Sequence, residues 1–136
     1  MMIAEQDRNI WVEYDYAIVH LVPYVHLRTF LNLGVVIHSR SEGYLDARFN
    51  ADRNRIAPFA PSLDLDLLER YVDAFLAVCE GGSRGGSIGL LPPSERFHWL
   101  TAPRSAVLQT SPVHPGRSHD LGSALDRLFI EHCIGC

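Results

Sequence analysis

The stretch Leu33-Gly34-Val35-Val36-Ile37-His38-Ser39-Arg40-Ser41-Glu42-Gly43-Tyr44-Leu45-Asp46-Ala47-Arg48-Phe49-Asn50 decides the fold. Leu45, Ala47 and Phe49 alternate with Tyr44, Asp46, Arg48 and Asn50, the period of two that belongs to a strand with one buried and one wet face. Residues 33–38 before it are a nearly apolar, β-branched run, with Gly34 inside. The segment Ser39 to Gly43 has the composition and length of a hairpin loop. Strands joined by so short a loop run antiparallel, because a parallel pair needs a crossover of a dozen or more residues.

Reading outward, residues 14–22 form another strand. Tyr14, Tyr16, Ile18, His20 and Val22 alternate with Ala17, Val19 and Leu21, so apolar side chains point to both faces, as in an internal strand. Pro23 ends it, since proline cannot donate to a ladder. Downstream, Leu65, Leu68, Val72, Phe75, Leu76 and Cys79 keep to one face of a helix over 64–80, with Ser62 or Asp64 to cap its start and Gly81 its end. The glycine-rich residues 81–89 read as a flexible connector. A short helix is expected over 94–100 after Pro92 and Pro93, a fourth strand over 106–110, and a last helix over 121–133 capped by Asp120. The expectation is an α+β fold: a small antiparallel sheet of three to four strands, with two main helices and one short helix packed on one face. Residues 1–10 read as a loose lead-in and 11–136 as a single domain, the usual outcome for a chain of 136 residues.

Composition excludes several chemistries. All twelve basic side chains besides histidine are arginine; there is no lysine. P-loop phosphate binding, protein-kinase catalysis and Schiff-base formation each need one. The ordinary source of such a bias is a G+C-rich genome, whose codons favour arginine. No apolar run reaches the roughly 20 residues of a membrane span, Glu5 and Asp7 precede any apolar stretch, and three cysteines make a poor disulfide framework. A cytoplasmic protein without disulfides is expected. His132-Cys133-Ile134-Gly135-Cys136 supplies half of a zinc site at most, with no second half to complete it. The pair follows a helix C-terminus, where the dipole disfavours thiolate. The reading is a frayed, dispensable tail, with no metal and no cofactor.

Charge points to one region. The net charge is −4, yet residues 84–119 carry Arg84, Arg96, Arg104 and Arg117 against Glu95 alone. Arg104 stands between Pro103 and Ser105, and an arginine held on a rigid turn suits bidentate binding of carboxylate or phosphate. The candidate binding residues are Arg96, His98, Trp99, Arg104, Ser105, Gln109, Ser111 and His114. The structural alternative pairs Arg104 with an acid of the 64–80 helix and puts Trp99 in the core. For catalysis, Ser105 or Ser111 with His98 or His114 is the available nucleophile and base, but no nucleophile elbow frames either serine. His20 and His38 fall within strand patterns and read as satisfied sheet histidines. Whole-chain acidity argues against a general nucleic-acid binder.

Three segments carry a resemblance: Tyr14-Asp15-Tyr16-Ala17-Ile18-Val19; Phe30-Leu31-Asn32-Leu33-Gly34-Val35-Val36-Ile37; and Glu95-Arg96-Phe97-His98-Trp99-Leu100-Thr101-Ala102-Pro103-Arg104-Ser105 with Gln109, Ser111-Pro112-Val113-His114 and Gly116. Over about residues 14–130 the chain resembles an uncharacterised bacterial family, domain of unknown function 3037 (DUF3037). The chain departs from the family pattern after Pro23, where members tend to place charged residues and this chain has Tyr24, His26, Leu27 and Thr29. The resemblance implies a small accessory protein, with a HipA-like kinase-type protein as its partner. Two functional readings follow. One is a binding module whose segment 96–114 meets an anionic group. The alternative is a small hydrolase or nuclease-like enzyme using His98 or His114, with Arg104 as the anion clamp.

Overall fold

A computed structural model describes residues 10–24, 29–104 and 106–134. Its elements in chain order are strands β1 (Val12–Leu21), β2 (Leu31–Ser39) and β3 (Tyr44–Phe49), helices α1 (Arg53–Phe59) and α2 (Leu65–Glu80), a 3₁₀ turn (Ser83–Gly85), the single-turn helix α3 (Gly86–Gly89), helix α4 (Pro93–Thr101), strands β4 (Leu108–Thr110) and β5 (His114–Ser118), and helix α5 (Leu121–Phe129), which runs into a π-helical turn (Ile130–Ile134). The fold is α+β, and β2 and β3 form the antiparallel hairpin that the alternation at 44–50 required. Asp64 caps α2 by accepting from the Leu67 amide at 3.1 Å, and Gly81 closes the helix with φ of 83°. Asp120 likewise caps α5 through the Ser123 amide at 3.1 Å.

The sheet has five strands rather than three to four. The order is β3-β2-β1, and the free side of β1 is covered by two short strands placed end to end, β4 along Val19–Leu21 and β5 along Val12–Tyr16. Pro112 breaks what would otherwise be one long strand, because it has no amide to donate. Ser111 splices the gap: its amide donates to the Ile18 carbonyl at 2.9 Å, and its hydroxyl accepts from the Ile18 amide at 2.9 Å. β5 escapes a propensity reading because His114-Pro115-Gly116-Arg117-Ser118 contains no β-branched residue and no Phe, Tyr or Trp. Helix α1 escapes as well, since Ile56 is its one buried side chain and Pro58 lies inside it.

The helices cover both faces of the sheet, not one. On one face Ala17, Val19, Val36 and Ala47 pack against Phe75, Val78 and Cys79 of α2 and against Phe97 and Leu100 of α4. On the other, Tyr14, Ile18, Val35 and Ile37 pack against Ala124, Leu125 and Leu128 of α5. The apolar character of both faces of β1 and β2 is the cause. Such strands are stable only when sandwiched. Two glycines permit close contacts within the sheet: a Cβ on Gly34 would lie 2.6 Å from the Arg48 carbonyl and 2.7 Å from the Phe49 ring, and one on Gly116 would strike the Tyr14 ring.

The glycine-rich connector is folded. Gly82 donates to the Gly89 carbonyl at 2.8 Å and Gly85 to the Gly82 carbonyl at 3.1 Å, which builds the 3₁₀ turn and α3. The C-terminal segment is no frayed tail up to residue 134. Cys133 is 1% exposed within the α5-side core. The side chains of Asn32 and Asn50 donate to the carbonyls of His132 and Cys133, each at 3.1 Å, and so satisfy backbone acceptors left over at the helix end. Cys136 lies outside the described residues. The Cys133→Ser variant is therefore expected to lose about 1–3 kcal/mol of unfolding free energy in urea, the cost of putting a hydroxyl where a thiol is buried. A midpoint unchanged from wild type would show the tail to be dispensable.

Candidate functional site

The four arginines of the predicted positive block do not gather at one point: Arg84 and Arg104 line one cleft, while Arg96 and Arg117 are engaged elsewhere. Arg84 forms an exposed i, i+4 ion pair with Glu80 at 3.2 Å. Arg117 lies over the Trp11 ring at 5.0 Å. Arg96 is buried, 8% exposed, and is committed to backbone: its Nε donates to the Leu91 carbonyl at 2.9 Å, and its Nη1 to the carbonyls of Val78 and Cys79, both at 2.7 Å. These last two carbonyls belong to the C-terminal turn of α2, where the helix dipole places partial negative charge. Gly81 passes directly over the guanidinium, with its Cα open to a Cβ only at 3.1 Å from Arg96 Cζ. Arg96 thus ties α4 to α2 and has no fork to offer an external anion.

Arg104 is different. It is exposed and makes no ion pair among the described residues, so the alternative pairing with an acid of α2 is absent. Its guanidinium stacks over the Trp99 ring with 4.5 Å to the centroid, donating to the Trp99 carbonyl through Nη2 and to the Ala102 carbonyl through Nε at 3.4 Å. Two of its five N–H groups are used in this way, and the other three have no partner among the described residues. Stacking and the two bonds hold the fork in place without neutralising it.

Trp99 and Arg104 stand at one wall of a cleft of about 570 Å³ that opens between α2 and the segment 99–110. The floor is apolar, with Val19, Phe75, Val78 and Leu100 among its lining; Tyr71 and Arg84 stand on the opposite side. Tyr71 and Trp99 are 43% and 40% exposed, a large aromatic area left outside any core. Gln109 and Thr110 line the cleft as well, but their side chains turn back to the carbonyls of Ala106 at 2.9 Å and Thr101 at 3.4 Å. A volume of this size with few polar groups at its mouth is what small-ligand sites present.

Of the remaining predicted residues that the structure describes, His98, Ser111 and His114 do not line this cleft. His98 is exposed on α4 and is not among the lining residues. Ser111 serves the strand splice, its hydroxyl donating to the Pro112 carbonyl at 2.9 Å. His114 pairs across the ladder with Tyr16 and its ring packs against Tyr16 at 5.5 Å, on the α5 side of the sheet. Ser105 lies outside the described residues. The nucleophile and base of a hydrolase are therefore not assembled from Ser111, His98 and His114. Sequence reasoning missed Tyr71, Ala74 and Val107 as cleft residues, since on a sequence they look like ordinary helix and loop positions. Of the thiols, Cys79 is buried and unreactive: burial first, then Asp46, pushes it up to about 12.

Residues 16–132 match the model of a family described as Protein of unknown function (DUF3037), and the chain belongs to that family. No curated protein and no solved structure matches it.

Because Arg104 is exposed and its bonds are surface bonds, Arg104→Ala is expected to change the unfolding free energy by no more than about 1 kcal/mol. Urea denaturation checks this. A loss of about 3 kcal/mol or more, the scale of a broken buried pair, would show Arg104 to be structural.

Proposed function

We propose that this family member is a small binding module, and that the cleft beside Trp99 takes a ligand with an apolar body and an anionic end. The carrying observation is the guanidinium of Arg104, held against Trp99 and without an ion pair among the described residues, at a mostly apolar cavity whose other lining cation, Arg84, is paired with Glu80. The apolar part of a ligand gains about 25 cal/mol per Å² by leaving water. The anion gains charge-assisted hydrogen bonds from donors that are already oriented. An acidic, apolar segment of a partner protein has the same chemistry. The accessory role implied by the family resemblance, with a HipA-like kinase-type partner in a bacterial cytoplasm, is part of this proposal. No helix among the described residues is long and apolar enough to cross a membrane.

The test uses Trp99 as reporter in a Trp11→Phe background, titrated with dodecanoate, with dodecanol (the same tail without charge) and with acetate. Dodecanoate is expected to saturate the fluorescence change, dodecanol to bind about tenfold or more weakly, as one lost charge-assisted bond implies, and acetate to have no effect. Arg104→Lys should bring dodecanoate towards dodecanol, because the fork is lost while the charge stays. Equal binding of dodecanoate and dodecanol, or no saturable response to either, would refute the reading.

A further inference from the structure

Three strands have an outer edge: β3 on one side of the sheet, β4 and β5 on the other. An outer edge presents unpaired amides and carbonyls, and folded proteins blunt it with charges, prolines or bulges. Two of the three are blunted in this way. On β3 the Asp46 carboxylate accepts from the Ala47 amide at 2.8 Å, and Arg48 is ion-paired with Asp126 of α5. On β5 the residues opposite Tyr14 and Tyr16 are Gly116 and His114, so Pro115 between them faces outward and has no amide to offer.

β4 carries no such device among the described residues. The Val22 amide donates to the Val107 carbonyl at 2.7 Å, and the Ser111 amide to the Ile18 carbonyl at 2.9 Å. Val107, Gln109 and Ser111 therefore turn their main-chain groups to β1, and Leu108 and Thr110 turn theirs outward. β4 pairs with β1 alone, and these outward groups have no hydrogen-bond partner among the described residues.

This edge meets the Trp99 cleft. Leu108, Gln109 and Thr110 all line it. Their side chains alternate between the two faces of the sheet, so the cleft borders the main chain of the strand and not one face alone. Arg104, which has no ion pair among the described residues, lines the same cavity. The cleft thus combines an apolar floor, a cation and an open strand edge.

We infer, resting on the reading of the cleft given above, that its occupant is the C-terminal end of an extended polypeptide with apolar last residues. The segment adds to the sheet as a strand beside β4, and its terminal carboxylate meets Arg104. Main-chain pairing at an open edge, with pockets for alternate side chains, is a general mode of peptide recognition. Leu108 and Thr110 supply the pairing groups, Val19, Phe75 and Leu100 the apolar contact, and Arg104 the charge-assisted bonds. A simple apolar acid would meet the floor and the cation but leave the strand edge unpaired. A cavity of about 570 Å³ is the size that takes a small ligand, which is room for a chain end of a few residues. A chain end also carries its carboxylate on the main chain, at a fixed distance from the amides that pair.

The probe is the peptide acetyl-Ala-Val-Ala-Val-Leu with a free carboxylate, and the readout is amide hydrogen exchange of the whole protein by NMR. At saturation the Leu108 and Thr110 amides are expected to exchange about tenfold or more slowly, while the Gln109 amide, already turned to β1, keeps its rate. Two N-methylated isomers test the pairing itself, one methylated at peptide residues 3 and 5 and the other at 2 and 4. One isomer should bind as the parent does and the other about tenfold or more weakly, because only alternate amides face β4. The C-terminal amide of the same peptide should also bind about tenfold more weakly than the acid. Unchanged exchange at Leu108 and Thr110, equal affinity of the two isomers, or equal affinity of acid and amide would overturn the inference. Saturation by dodecanoate without any response to the peptide would overturn it and leave the cleft reading standing; no response to either would overturn both.

Discussion

The guanidinium of Arg96 is the joint on which the functional half of the molecule rests. Three carbonyls converge on it: Val78 and Cys79 from the end of α2, and Leu91 from the approach to α4. Between these anchor points lie the glycine turns at 81–89, a stretch with almost no apolar side chain to hold it. Hydrogen bonds to a charged donor, about 1.5–3 kcal/mol each, supply what burial there does not. The same bonds fix the position of α4 and hence of Trp99, Arg104 and the cleft wall. A residue that looked in sequence like an anion ligand is instead the reason that the true rim arginine is well placed.

The sheet divides the work between its two faces. The α5 face is closed by packing, with Asn32 and Asn50 holding the last carbonyls of the chain's final helical turn. The other face is covered by α2 and α4 over its centre and by α1 and the first half of α2 at the Leu21 and Leu33 end. The Trp99 cleft lies between α2 and the segment that follows α4, with a mostly apolar lining.

How much of this was legible depends on where the signal resides. The hairpin at 33–50 and the caps Asp64 and Asp120 are local chemistry, and the sequence carries them in full. β5 and α1 rest on tertiary context: β5 is held by its ladder to β1 and the room that Gly116 leaves for Tyr14, and α1 by Ile56 and Phe59 in the core, by Arg55 donating to the carbonyls of Asn32 and Asn50, and by the ion pairs of Arg53 with Asp66 and Glu69. The choice between one covered face and two was also visible in part, since β1 and β2 are apolar on both sides, although the position of α5 was not. For the site, Trp99 and Arg104 were legible as an arginine near an aromatic on a proline turn. The separate fates of Arg96, Ser111 and His114 were not, because proximity along the chain says nothing about which side of a strand or helix end a group will face.

The account stands most directly on Arg96, and amide hydrogen exchange of the Arg96→Met variant tests it. Methionine keeps an apolar stem of similar length and removes all the donors. If the guanidinium is the joint, protection falls sharply for amides over 82–101 while those of β1 and β2 keep their wild-type rates, a local opening in place of global unfolding. Unchanged protection over 82–101, or a uniform loss across sheet and helices alike, would contradict it.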